Sequence, residues 1–147
     1  MDKDIRVIRL TEDMLPDIAE LERVCFHEPW SEKSLELLLG EQGVGFALLE
    51  NGSVAAYAGM MTVLDEGQIT NVAVFPQYRR RGYGRAVMEA LEAYARENSL
   101  SVLSLEVRES NEGARALYRS LSWREVGLRK NFYRLPTEDA VVMVKDI

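Results

Sequence analysis

The 147-residue sequence has little of what metal, redox and secreted sites usually require. It has one cysteine, Cys25, so no internal disulfide can form, and a cytosolic setting fits that usage. It has one histidine, His27, which removes multi-histidine metal sites and would make any Ser-His-Asp triad depend on that residue alone. No metal centre is expected. No run of about 18 apolar residues occurs, so no helix is expected to cross a membrane. The start, Met1-Asp2-Lys3-Asp4-Ile5-Arg6, lacks the apolar core of a signal peptide. Basic residues are outnumbered 18 to 24, a formal charge of −6, which argues against direct nucleic-acid binding. A Walker A loop is missing too: the lysine that precedes a serine, Lys33, follows Glu32 and not glycine.

What is present is an ordinary globular composition, 47% hydrophobic and 29% charged. A chain of this length is expected to form one domain over 1–147 and to bury its own core without staples. Its charge is unevenly spread. Arg79, Arg80, Arg81 and Arg85 stand close together with no acid among them, and the remaining chain carries 14 basic against 24 acidic residues. A concentrated positive spot on an acidic protein suggests a single anionic ligand. The acidic remainder suits a basic partner.

Residues 4–10, with Ile5, Val7 and Ile8, read as a first strand. Thr11 is placed to cap a helix running to about Phe26, with Leu15, Ile18, Leu21 and Val24 or Cys25 at helical spacing. Pro29 breaks it. Ser31 caps a second helix carrying Leu35, Leu38 and Leu39, which Gly40, Gly43 and Gly45 end. Phe46–Glu50 and Ser53–Val63 flank Asn51-Gly52, the clearest hairpin signal, because Asn-Gly accepts the positive φ of a type I′ turn. A turn at Asp65-Glu66-Gly67 leads into a strand over Gln68–Val74. Val87, Ala90, Leu91 and Tyr94 give an amphipathic helix from Gly82 to about Asn98. Leu103, Leu105 and Val107 alternate with Ser104 and Glu106 in a strand over 100–107. Asn111 opens a helix with Ala114, Leu117, Tyr118 and Leu121 on one face, and strands are expected near 123–132 and 139–145. The order β-α-α-β-β-β-α-β-α-β-β predicts an α/β chain of the α+β kind, with a mixed sheet and helices on its faces.

The segment Arg79-Arg80-Arg81-Gly82-Tyr83-Gly84-Arg85 falls between a strand and a helix. Glycines let a ligand approach the backbone, and the first helical turn offers unpaired N–H groups at the positive end of the dipole. Together with the arginines these could hold a pyrophosphate. The alternative is a solvated charged turn. A dinucleotide fingerprint would need a third glycine at 87, which is Val87.

Arg-x-x-Gly-x-Gly after Val72-Ala73-Val74-x-Pro76 resembles the acetyl-CoA signature of the GNAT N-acetyltransferases, whose element order is also the one above. Cys25-Phe26-x-x-Pro29-Trp30-Ser31, Ile69-Thr70-Asn71-Val72-Ala73-Val74, Leu105-Glu106-Val107-Arg108-x-Ser110-Asn111-x-x-Ala114-x-x-Leu117-Tyr118, Arg129-Lys130-Asn131-Phe132-Tyr133 and Asp139-Ala140-x-x-Met143 resemble one branch, the bacterial ribosomal-protein-alanine N-acetyltransferases (the RimI family). The match runs over almost the whole chain. The resemblance implies a GNAT fold whose sheet splays beside the pantetheine-binding strand. It implies Glu106 as general base and Tyr118 as general acid. It implies acetyl-CoA contacts at Val72, Ala73 and Val74, along Arg79–Arg85 and at Asn111. The implied acceptor is the N-terminal alanine of a basic ribosomal protein, S18, in the cytoplasm. Two departures from the family pattern matter. Ser122-Trp123 replaces Gly-Phe after the fourth helix, and Phe132-Tyr133 replaces Tyr-Tyr, which removes one substrate-side hydroxyl.

The chemistry suits these residue types. An ordinary glutamate is a weak base, but burial or a relaying water lets it serve. A tyrosine hydroxyl near the departing thiolate can finish the proton transfer, and positioning supplies much of the rate. No covalent acetyl-enzyme is needed. Each residue also has a plainer reading: Glu106 as a solvated strand carboxylate or a partner of Arg108, Tyr118 and Trp30 as core, Asn111 as a helix cap, His27 as a local structural group. Two other functions stay open from the residues: a GNAT acting on a small amine, a lysine or another N-terminus, and a non-catalytic acyl-CoA-binding module.

Overall fold

Asn51 (φ 52°) and Gly52 (φ 84°) both take the left-handed backbone that a type I′ turn needs, and they join β2 (Gly43–Glu50) to β3 (Ser53–Val63). The computed structural model describes residues 3–147; Met1 and Asp2, the first residues of the polar start, lie outside the described residues. Val54 through Met60 are buried without a break, because helices cover both faces of β3. Alanine dominates that run, and its small side chains let both layers approach the sheet.

The remaining elements follow the expected order: β1 (Ile5–Arg9), α1 (Leu15–Cys25), α2 (Glu32–Leu35), β4 (Glu66–Val74), α3 (Tyr83–Glu97), β5 (Val102–Arg108), α4 (Glu112–Ser120), β6 (Arg124–Arg134) and β7 (Thr137–Asp146). One seven-stranded sheet has the order β1-β2-β3-β4-β5-β7-β6. Its pairs are antiparallel except β4 with β5, which is parallel. Two cores flank it. Val87, Met88 and Leu91 of α3 pack with Leu103 and Met143 on one face, and Ile18 and Leu21 of α1 pack with Tyr57 and Leu38 on the other.

Three local expectations change. Thr11 does not cap a helix through its side chain; its hydroxyl bonds to Asp13, and a 3₁₀ turn over Glu12–Met14 precedes α1. Of the three glycines expected to end the second helix, Gly40 does so, after a 3₁₀ turn at Glu36–Leu39. Gly43 and Gly45 already belong to β2, and a Cβ on Gly43 would lie 2.1 Å from the Leu37 carbonyl oxygen. The turn before β4 is made by Leu64 (φ 56°) and Asp65, while Glu66 and Gly67 are already paired with β5. The cap expected at Ser31 is present, its Oγ accepting from Ser34 N at 3.1 Å.

The departure at Ser122-Trp123 has a packing reason. Trp123 is buried, and its indole N–H donates to Glu92 Oε2 at 3.1 Å, a partner that a phenylalanine would not satisfy. Ser122 holds φ 71°, the left-handed conformation that glycine adopts without strain. Ser122→Gly is therefore expected to stabilise the fold by up to about 1 kcal/mol, which raises Tm by ~2–4 °C in a chain of this size. Thermal unfolding followed by circular dichroism checks it, and an unchanged or lower Tm contradicts it.

The sheet opens at one place. β4 and β5 pair only at Glu66↔Val102, Gly67↔Leu103 and Gln68↔Ser104. Beyond that, β5 continues beside β7 as far as Arg108↔Ala140, and β4 stays with β3. β4 also bulges: Met60 faces Ile69 while Gly59 faces Asn71, so Thr70 is the extra residue. The bulge reverses the alternation. Ile69 lies in the α3-side core, whereas Asn71 turns to the α1 face and bonds to Glu22.

Candidate active site

The separated ends of β4 and β5 enclose a cleft of about 640 Å³. Ile69–Val72 of β4 form one wall and Leu105–Arg108 of β5 the other. Asn111, Ala114 and Tyr118 come from α4 and its cap; Phe26, His27, Glu28 and Trp30 come from the segment after α1; Phe132 and Tyr133 come from β6. Backbone groups of β4 that lost their β5 partners face this space, and an extended ligand could pair with them.

Glu106 and Tyr118 both line this cleft. Glu106 sits on the polar face of β5, its side chain 11% exposed. Its partner is not Arg108, which pairs with Glu138 at 3.2 Å. Gln68 Nε2 donates to Glu106 at 3.1 Å, and Arg129 Nε lies 3.5 Å from it. Tyr118 is buried on α4, its ring 6.2 Å from that of Trp123. Burial, with Tyr133 assisting, pushes its phenol above the ordinary tyrosine value, so it stays protonated. Tyr133, half-buried beneath the Arg108 guanidinium at 4.3 Å, is pushed up to about 12, chiefly by burial.

Of the residues assigned to acetyl-CoA, Val72 and Asn111 line the cleft. Asn111 is also a cap, its Oδ1 accepting from Ala114 N at 3.1 Å. Ala73 turns into the α1-side core, so only its backbone faces outward. Val74 packs on the opposite core, and its carbonyl accepts from Arg79 Nε at 3.2 Å. Arg79 also reaches Cys25 Sγ at 3.6 Å, which ties the basic loop to the cleft rim.

The loop itself lies beyond the cleft lining. Gly82 (φ 80°) precedes α3 and offers no side-chain cap, leaving the first N–H groups of Tyr83, Gly84 and Arg85 at the helix start. Its charge is partly spent. Arg81 pairs with the buried Glu50 at 2.8 Å, and the Tyr83 hydroxyl donates to the same carboxylate, holding it below the ordinary glutamate value together with Arg81 and against burial. Tyr83 thereby anchors α3 to β2 and can meet a ligand through its backbone alone. Arg85 bonds to Ser120 Oγ at 2.6 Å. Among the described residues Arg79, Arg80 and Arg85 have no carboxylate within 4.0 Å, so three guanidinium charges remain for an anion.

Glu22 also lines the cleft, and no motif in the sequence singles it out. Glu22 is buried on α1, its carboxylate accepting from Tyr57 OH at 2.6 Å, Trp30 N at 2.8 Å and Asn71 Nδ2 at 3.2 Å. One buried glutamate thus fixes the bulge of β4 and the turn that carries Trp30. A carboxylate inside a helical apolar stripe was the clue available. Phe132 and Tyr133 reach the cleft because β6 bulges between Arg129 and Tyr133, with Asn131 left-handed and its N–H on Asp139.

Residues 15–123 match the Acetyltransferase (GNAT) family. The chain is 42% identical to ribosomal protein bS18-alanine N-acetyltransferase of Escherichia coli K12 over 137 residues, 90% of this chain and 91% of that one. It is 34% identical over 141 residues to a putative enzyme of the same name from Bacillus subtilis, 95% of this chain and 92% of that one. The crystal structure of the ribosomal-protein-S18-alanine N-acetyltransferase from Escherichia coli superposes with a TM-score of 0.91 at 38% identity, covering 98% of this chain and 94% of that one.

Proposed function

Since the chain belongs to the Acetyltransferase (GNAT) family, we propose that this N-acetyltransferase moves the acetyl group of acetyl-CoA onto the N-terminal alanine of a basic ribosomal protein of the bS18 kind. The reading takes 1–147 as one catalytic domain working in the cytoplasm. Its main support is the joint presence of Glu106 and Tyr118 in the cleft where β4 and β5 part. An acyl-CoA-binding module without catalysis would need neither.

In this proposal the pantetheine arm lies along the unpaired edge of β4 at Val72, Ala73 and Val74. The pyrophosphate meets the N–H groups of Gly82, Tyr83, Gly84 and Arg85 and the charges of Arg79, Arg80 and Arg85. Arg81 holds the loop's shape through Glu50. Asn111 borders the donor side. Glu106 takes the proton of the acceptor amine, directly or through a water, the amine attacks the thioester carbonyl, and the Tyr118 hydroxyl bonds to the departing thiolate.

Acceptor choice follows from proton energetics. An α-amine with pKa about 7.7–8.0 needs ~1 kcal/mol to be neutral at pH 7, whereas lysine at about 10.4 needs ~4–5 kcal/mol. A single carboxylate base therefore suits the N-terminus. Phe132, 44% exposed at the cleft mouth, offers an apolar ring in place of a hydroxyl and keeps a small or differently shaped amine in view. A panel of N-terminal peptides, lysine and polyamines, read by mass spectrometry, decides. Acetylation confined to peptide N-termini supports the proposal, and a preference for lysine or polyamines overturns it.

Gly82→Val is expected to raise the Kd for acetyl-CoA about 10-fold. A β-branched residue resists φ 80° by about 1–2 kcal/mol, and relief of that strain swings the first N–H groups of α3 away. Isothermal titration calorimetry checks it, and unchanged affinity contradicts the loop assignment.

A further inference from the structure

The Glu106 carboxylate is held from its own sheet. Gln68 is the last residue of β4 paired with β5, opposite Ser104, so Glu106 lies on the diagonal just past the point where the strands part. Gln68 Nε2 spans that fork and donates to Oε2 at 3.1 Å and Oε1 at 3.4 Å. A carboxylate can only accept, so the amide nitrogen is the end that must face it. Arg129 Nε also stands 3.5 Å away, but it reaches across β7 from β6. Gln68 is the neighbour on the same rigid element pair, and its contact limits the rotamers the carboxylate can visit.

We propose that Gln68 is a positioning residue for acetyl transfer, fixing the Glu106 carboxylate at the fork so that it faces the acceptor amine. The inference rests on Glu106 acting as the base. A small displacement of a reacting group lowers rate far more than binding, so loss of the contact falls on kcat. Gln68 is exposed, so replacing it leaves no cavity.

The test is a double-mutant cycle of Gln68→Met and Glu106→Gln on an alanine-initiated peptide with acetyl-CoA. Methionine keeps the length and removes the donor. Gln68→Leu, which also removes the donor and adds no charge beside Glu106, serves as a second variant. Both are expected to lower kcat ~10-fold, to leave KM for acetyl-CoA unchanged, and to add less than ~2-fold loss in the Glu106→Gln background. Full activity in either Gln68 variant, or losses that simply multiply in the double mutant, overturns the positioning role while leaving Glu106 in place. Full activity in Glu106→Gln alone removes the base, and this proposal with it.

Discussion

Glu106→Gln is expected to cut turnover on a peptide N-terminus by roughly 10²- to 10³-fold, within the range for loss of a positioned general base. The substitution keeps shape and volume. It removes charge from one ion pair, to Arg129, whose side chain is 60% exposed, so little stability is at stake. Glutamine still accepts from Gln68. The fold therefore persists, and the Kd for acetyl-CoA is expected to stay within about twofold, because Glu106 lies on β5 while the proposed donor contacts fall on the loop and β4. The deficit has a pH signature. Below the α-amine pKa of about 7.7–8.0 the acceptor arrives charged and the base is needed; well above it the amine arrives neutral. The ratio of wild-type to variant kcat/KM is expected to shrink as pH rises from 6 to 9. A flat ratio near one removes Glu106 from the reaction.

Tyr118→Phe is expected to lower kcat about 10- to 100-fold without changing Tm by more than ~2 °C. Phenylalanine keeps the ring that packs 6.2 Å from Trp123, so the loss falls on the hydroxyl. The direction of its shift constrains its part. An ordinary thiol has a pKa of about 8.5 and an ordinary tyrosine about 10; burial raises Tyr118 further. Complete proton transfer from this phenol to the thiolate is uphill by more than ~2 kcal/mol. A buried phenolate would be costly as well. In the proposed reaction the phenol therefore serves as a hydrogen-bond donor to the leaving sulfur, and solvent supplies the proton afterwards. It follows that the wild-type rate shows no alkaline limb from Tyr118 below pH ~10. Stopped-flow thiol release across pH checks both statements. A variant with wild-type kcat contradicts the assignment.

The sequence carried the fold where local chemistry decides it. Asn51-Gly52 set a hairpin, Ser31 and Asn111 set helix starts, and the alternation around Glu106 set a strand with one polar face. The basic loop was legible as a charge cluster, but the sequence did not reveal that Glu50, far along the chain, ties up Arg81. The splaying of the sheet was expected only through the family resemblance, and the other features that depend on how strands meet were not legible. The bulge at Thr70, the fork after Gln68 and the irregular Arg129–Tyr133 stretch arise from pairing between distant segments. Thr11 carried a capping signal, yet its hydroxyl found Asp13 first. Nothing in the sequence alone brings Trp30, Tyr57 and Asn71 to the Glu22 carboxylate; the fold does. Glu106 and Tyr118 were reached through resemblance to a family, and it is the fork that brings them into one cleft.

The central claim is that this cleft transfers acetyl from acetyl-CoA to a free peptide N-terminus. The most direct measurement is thiol release from acetyl-CoA with a lysine-free peptide beginning with alanine, beside the same peptide blocked at its N-terminus. The account predicts release with the free peptide alone, with a mass gain of one acetyl group. No release with either peptide, while acetyl-CoA still binds, would contradict it.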